Sequence, residues 1–415
     1  MSQRIIGRPP TWVNVLRRSK DFIDLRVGQP DRNHLPVQEL EEAAASCFSG
    51  PYGIDANDPC RFLQYGGEDG WTIISEVRSF LNRFDRSRTT QTGELMMSAG
   101  NSHAIELITS TFTKPGDTVL VESPTYFLAH RIFEDNGLSI VEVDFSAKEE
   151  LLQAINKHSP ALAYCVPSYQ NPGSTNICEA RRSEIVELVR DNGVTLISDE
   201  AYQLLHFESA SPPPPPLAEL DRKYTEVGGK GNGTVLSCGS FSKIAAPGFR
   251  LGWIEGDLGS LEKLANRGYL ISGGTVASPI SCALMEQILT SGKLEDIVIR
   301  LRHLYEKRAN ALVDGLQNYC PSVKIANVDR IEGGYFVWCE LPPSIGDIHQ
   351  FLEYCMANEN LCFLPGDACW YNNSSGELES TKMVRLCFAM YESERLVEAT
   401  KRLGRALSSY TTPGQ

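Results

Sequence analysis

Cys238-Gly-Ser-Phe-Ser-Lys243-Ile-Ala-Ala-Pro-Gly-Phe-Arg250-Leu-Gly-Trp253 is the stretch on which the reading of this chain turns. It sets a lysine among serine hydroxyls and a downstream arginine, at the end of a short apolar run of strand type. The amine of Lys243 can form a Schiff base with an aldehyde. The hydroxyls of Ser240 and Ser242 and the planar fork of Arg250 suit a phosphate. Upstream, Val194-Thr-Leu-Ile-Ser-Asp199-Glu-Ala-Tyr202 is a second apolar run that ends on a carboxylate. An acid there keeps a pyridine nitrogen protonated, which makes the ring an electron sink. Read as a pair, the two runs specify a site for pyridoxal 5'-phosphate (PLP).

Outward from this pair, strand and helix signals alternate. Strands are expected at 95–98, 118–122, 139–143, 161–166, 194–199, 234–239 and 251–255, and helices at 102–112, 126–136, 148–157 and 178–192. Short apolar strands between amphipathic helices imply an α/β fold with a mostly parallel seven-stranded sheet covered on both faces. Ligands of such sheets bind beyond the carboxyl ends of the strands, where Asp199 and Ser240–Lys243 both fall. Three parts are expected. Residues 1–50 read as an N-terminal arm packing with the small domain, 51–290 as a large cofactor-binding domain, and 291–415 as a smaller α+β domain. The last begins with a long helix near Gly292 and carries expected strands at 323–327, 335–340 and 383–388. An insert at 209–233, with five consecutive prolines, reads as a surface loop or partly mobile flap.

The 415 residues suffice for a large core, with 42% hydrophobic and 22% charged residues. A net charge of −13 argues against nucleic acid or an anionic membrane as partner. The twelve cysteines are scattered singly with no metal-ligand spacing, as in a reducing compartment. No apolar run approaches the ~20 residues needed to span a bilayer, and the N-terminus shows no secretory h-region. A cytoplasmic enzyme is the expectation.

From Leu25-Arg-Val-Gly-Gln-Pro30 to Val384-Arg-Leu-Cys-Phe388 the chain resembles the class I/II aminotransferases, the fold-type-I PLP family. It is most similar to the 2-aminoadipate, kynurenine and valine–pyruvate aminotransferase-like branch. The resemblance implies a homodimer with shared active sites that moves an amino group from an L-amino acid to a 2-oxo acid. It makes Lys243 the Schiff-base lysine and proton shuttle, Asp199 the partner of the ring nitrogen, and Tyr202 and Asn171 the partners of the cofactor's phenolic oxygen. Gly100-Asn101-Ser102 would form the phosphate cup with Ser240, Ser242 and Arg250, since a turn that opens a helix offers backbone N–H groups to an anion. Tyr126, in Glu122-Ser-Pro-Thr-Tyr126, would stack on the ring. Tyr65 would reach a neighbouring subunit's phosphate, although Gly67-Glu-Asp-Gly70 departs from the family's usual Pro-x-x-Gly. Arg385 would clamp the substrate α-carboxylate and Gly28 would contact it through the backbone, with Arg26 and Gln29 near the substrate side chain. The same site on the same fold would also serve a PLP-dependent lyase, such as a C–S lyase, or a decarboxylase. A transcription regulator built on this fold needs a basic helix-turn-helix segment ahead of it, which this acidic sequence does not display.

Overall fold

The computed structural model describes residues 21–49, 61–63, 65, 73–85, 88–231, 233–273, 277–371 and 382–410. The first twenty residues of the expected arm and the loop after position 50 lie outside them. Strand β1 (Ile23–Asp24) comes first. The large sheet takes β2 (Leu95–Ser98), β3 (Thr118–Glu122), β4 (Ser139–Val143), β5 (Leu162–Cys165), β6 (Thr195–Asp199), β7 (Thr234–Ser240) and β8 (Gly252–Glu255). Then follow β9 (Lys324–Ile325), β10 (Phe336–Glu340), β11 (Leu361–Cys362), β12 (Leu364–Pro365) and β13 (Met383–Cys387).

The seven strands lie in the order β2-β8-β7-β6-β5-β3-β4. All pairings from β4 to β7 are parallel, whereas β8 runs against both its neighbours, so β2 and β7 point the same way. Alternate residues feed two cores. Leu120, Ala163, Leu196 and Val235 pack on one face, and Val119, Leu162, Ile197 and Leu236 on the other. Burial on both faces explains why these strands read as nearly continuous apolar runs.

This topology fixes where the chemistry goes. The carboxyl ends of β2, β3, β5, β6 and β7 all open on one edge; Gly100, Tyr126, Asn171 and Lys243 follow β2, β3, β5 and β7 there, and Asp199 is the last residue of β6. Because β8 is antiparallel, its beginning lies at that same edge, which brings Arg250 there two residues before the strand starts. Reversal of one strand thus lets residues on both sides of a β-turn-β segment serve one site.

A second sheet, β12-β13-β10-β9, is antiparallel and places Arg385 opposite Trp338 and Leu364. The 27-residue helix Lys293–Tyr319 starts after Gly292, whose left-handed φ of 73° ends the preceding turn. From the arm, β1 pairs in parallel with β11, and the Leu25 carbonyl accepts from the Cys387 amide at 2.9 Å. Asp31 also receives Arg308 at 2.6 Å from the long helix.

The proline insert differs from its reading as a loop or flap. Residues Leu217–Glu226 form a helix, and Pro213, Pro215 and Pro216 are buried. A proline run presents carbonyls and no N–H groups. Arg182, fully buried in the helix Glu179–Asp191, supplies the donors. Its five N–H groups meet the carbonyls of Ile177, Pro214, Pro215 and Pro167 and the Ser168 hydroxyl at 2.8–3.0 Å. Gln203 adds a bond to Pro214 at 2.9 Å. One guanidinium therefore ties the insert to the 167–177 loop that bears Asn171. Among the described residues, no helix is long and apolar enough to cross a membrane.

Candidate active site

Asp199 ends β6 with only 5% of its surface exposed. Burial raises its carboxyl above the usual range, and donors oppose that rise. Asn101 Nδ2 donates to Oδ1 at 2.6 Å, the Tyr164 hydroxyl donates to Oδ2 at 3.0 Å, and the Ala201 amide donates to Oδ1 at 3.3 Å. Asn101 is the first residue of the helix Asn101–Phe112, the place the resemblance gives to a phosphate cup. Its side chain, however, turns away to Asp199 and to the Cys238 carbonyl at 2.9 Å.

Lys243 follows β7 with its Nζ donating to the Gly28 carbonyl at 2.6 Å. That ammonium lies 5.8 Å from the ring centre of Tyr202 and 5.2 Å from that of Tyr335, whose hydroxyl donates to the Lys243 carbonyl at 3.0 Å. Burial brings the lysine down to about 8, where a useful fraction of the amine is neutral near physiological pH. Tyr202 is buried and its phenol is pushed well above its ordinary value by desolvation. Tyr126 precedes the helix Phe127–Asp135 and is pushed up to about 12 for the same reason. Both phenols therefore keep their protons.

At the far side of the edge, Gly100 has a φ of 84° and stands against Arg250. A Cβ on Gly100 would fall 2.9 Å from an Arg250 nitrogen, so glycine lets the guanidinium sit over the helix N-terminus. Arg250 Nη1 lies 3.4 Å from the Ser242 hydroxyl, and the Ser240 hydroxyl accepts from the Ser242 amide at 3.1 Å. Ser102 is exposed in the first turn of the helix. These donors with a helix N-terminus make a place for a dianion.

Arg385 on β13 faces this edge from the smaller sheet. It is 3% exposed, with its guanidinium 4.0 Å from the Phe336 ring centre and 5.8 Å from that of Phe127. Nη1 donates to Asn171 Oδ1 at 2.6 Å and Nη2 to the Arg26 carbonyl at 2.7 Å. The first bond fixes the Asn171 amide, since its oxygen must face the arginine and its Nδ2 is the end left to donate elsewhere. Gly28 is pressed on Phe336, where a Cβ would come within 2.8 Å of the ring. The side chain of Arg26 is committed to Asp24, with Nη2 at 2.6 Å from Oδ2. Tyr65, by contrast, is 85% exposed, and Gly67–Gly70 beyond it lie outside the described residues.

The residues present fit PLP. The donor set at Gly100, Ser240, Ser242 and Arg250 suits a phosphate, and Asp199 suits a ring nitrogen. Two buried atoms at the site, Asn101 Oδ1 and Arg385 Nε, also have no partner among the described residues. Buried polar atoms are ordinarily bonded, and unpaired ones at a cleft mark a place where a bound group belongs. Sequence reading missed Tyr164, Tyr335 and Phe336. Tyr164 pairs with Ile197 in the neighbouring strand, which puts it on the face of Asp199, and that register is not written in either segment alone.

The profile of the family described as aminotransferase class I and II matches residues 20–403. The 2-aminoadipate transaminase of Thermus thermophilus is 30% identical over 391 residues, which is 92% of this chain and 88% of that protein. Aromatic-amino-acid aminotransferase 1 of Thermococcus litoralis is 27% identical, covering 98% and 93%. Among solved structures, the kynurenine aminotransferase of Pyrococcus horikoshii, determined in complex with PMP, matches with a TM-score of 0.80 and 25% identity over 98% of this chain and 96% of that one. The chain belongs to the class I and II aminotransferases, PLP-dependent enzymes that move an amino group from an amino acid to a 2-oxo acid.

Proposed function

We propose that this aminotransferase works as a cytoplasmic homodimer on an L-amino acid and a 2-oxo acid, with Lys243 as the amine that carries the cofactor and moves the proton. The observation that carries the chemical part of this reading is the position of Lys243 Nζ, half-buried and held by the Gly28 carbonyl at the edge that Asp199 and Arg385 also face. PLP, when bound, supplies an aldehyde that takes up the amino group and a ring that accepts the electron pair left when the α-proton departs. Asp199 would hold a proton on the ring nitrogen. Asn171 Nδ2 and the Tyr202 hydroxyl would donate to the phenolic oxygen, and Tyr126 would cover the ring face. Ser240, Ser242, Arg250 and the turn at Gly100–Ser102 would bind the phosphate. Arg385 would hold the substrate α-carboxylate with a bidentate fork and Gly28 would limit its position, which orients the Cα–H bond. Lys243 Nζ, neutral in a useful fraction, would remove that proton and return it.

We assign residues 51–290 to the cofactor-binding part, 291–415 to the smaller part and 1–50 to an arm that packs with the smaller part; the β1–β11 pairing supports the last. Exposed Tyr65, Tyr269 and Ile271 support a dimer in which Tyr65 serves the neighbour's phosphate site. Sedimentation of the holoenzyme at twice the subunit mass checks this. The function is tested by a single half-reaction. Stoichiometric pyridoxamine phosphate and 2-oxo acid from an amino acid are the expected products. Release of a thiol or carbon dioxide with PLP unchanged would identify the lyase or decarboxylase instead.

A further inference from the structure

The Asp199 carboxylate is gripped on one side from the neighbouring strand β5 and on the other by a helix residue anchored to β7. On one side Tyr164, on β5, reaches Oδ2 at 3.0 Å from a fully buried position. On the other, Asn101 reaches Oδ1 at 2.6 Å while its same nitrogen bonds the carbonyl of Cys238, the residue of β7 paired with Asp199. The Ala201 amide adds a longer contact to Oδ1. Both acceptors of Asn101 Nδ2 are oxygens, so the amide can sit only with its nitrogen toward them. A carboxylate offers about four acceptor positions. Among the described residues three are taken, and the one that remains is on Oδ2.

We propose that Asn101 and Tyr164 are positioning residues, which hold the Asp199 carboxylate in one orientation with one acceptor position on Oδ2 kept for the cofactor's ring nitrogen. The proposal rests on the reading of Asp199 as the partner of that nitrogen. Each donor also favours the ionised carboxylate against the burial that opposes it. Tyr164 is suited to this because its own phenol is held far above its ordinary value and remains a donor throughout the working range of pH. Asn101 is suited because its second bond anchors it to the backbone of β7, so it cannot swing with the helix that carries it.

The test compares two ligands on apoenzyme: PLP itself, and its analogue with carbon in place of the ring nitrogen. Tyr164→Phe and Asn101→Ala should each weaken binding of PLP about tenfold, the loss expected of one hydrogen bond to a charged group, and leave the carbon analogue unaffected. The loss should grow as pH falls, since removing a donor raises the Asp199 carboxyl further. Asp199→Ala is measured alongside. If it loses PLP selectively while Tyr164→Phe and Asn101→Ala weaken both ligands equally, or neither, the two residues are merely structural and the proposal is overturned. If Asp199→Ala itself treats both ligands alike, the assignment of Asp199 fails and takes the proposal with it. Binding of the analogue also reports that each variant is folded.

Discussion

Two arginines stand at the two ends of this site, Arg385 as the proposed carboxylate clamp and Arg250 as the proposed phosphate partner, and they are prepared differently. Arg385 is 3% exposed, bonded at 2.6 and 2.7 Å, and lies over the Phe336 ring at 4.0 Å from its centre. Arg250 is exposed, and its contacts to Ser242, Pro247 and Ala99 run from 3.2 to 3.4 Å. The first is set in place before any ligand arrives, while the second has only loose contacts to give up. A cofactor phosphate is bound for the life of the enzyme and can itself order a guanidinium. A substrate carboxylate comes and goes each turnover, and its partner gains by being already aligned.

The comparison makes unequal predictions. Arg385→Ala should lower kcat/KM for amino acids by about 3–5 kcal/mol, because it leaves a substrate charge desolvated without its partner. Cofactor affinity should fall much less than in an Arg250 variant, because Arg385 reaches the cofactor only through the Asn171 amide that it orients. Arg385→Lys keeps the charge and loses the fork, so steady-state kinetics should show partial rescue. Equal loss of cofactor from the Arg385 and Arg250 variants would erase the distinction.

Arg250→Ala should do the reverse and by less, with about a tenfold to hundredfold loss in PLP affinity, measured by equilibrium titration of apoenzyme. Pyridoxal without its phosphate should bind the variant and the parent alike. High salt should mimic the substitution at this exposed end and leave the Arg385 end unaffected.

Between the two ends, Lys243 offers a pH test. Its folded value of about 8 lies below the ordinary 10.5, so the folded protein sheds this proton first. Capture of PLP by apoenzyme requires the neutral amine. Its rate, followed by absorbance, should rise about tenfold per pH unit below 8 and level off above it. The linkage has the same sign. The burden of burying a charged lysine is full below pH 8 and disappears as pH rises toward 10.5.

The smallest effect concerns what a dry, preformed end costs. Glu122 lies buried beneath the Asn171 loop, accepts from the Val166 amide at 2.9 Å, and is raised by desolvation from 4.5 to about 7. Its folded value exceeds the unfolded one, so the protein is penalised as pH climbs through that interval and carries the full penalty above pH 7. Glu122→Gln keeps an acceptor for Val166 and removes the charge. Its Tm should exceed the parent's by a few degrees at pH 8, and the gain should vanish near pH 5.

Much of this architecture was legible in the sequence because its signals are local. The seven strands and the helix that begins after Gly292 fall where apolar period and turn residues put them. So do the runs that end at Asp199 and Lys243. What was not legible depends on pairing. Nothing within residues 251–255 says that this strand runs backwards, yet that reversal brings Arg250 to the edge. Asn101 reads as one more member of a phosphate turn until β6 and β7 are known to lie within its reach. Tyr164 reads as a core aromatic until its strand is registered against Ile197. The prolines read as a flap because composition does not reveal a buried arginine waiting for their carbonyls.

That arginine gives the insert the character of a strut. A proline run is already extended before the chain folds, so little freedom is lost when it is fixed. Arg182 grips it at Pro214 and Pro215 and with the same guanidinium holds Pro167 and Ser168. Length is therefore counted from this grip outward. A graft at exposed Glu208 or Ser209 lies beyond it and has solvent to spill into. A proline added or removed inside it would have to be absorbed by the loop that aims Asn171. The same surface segment is thus open to engineering at one end and rigidly metered at the other.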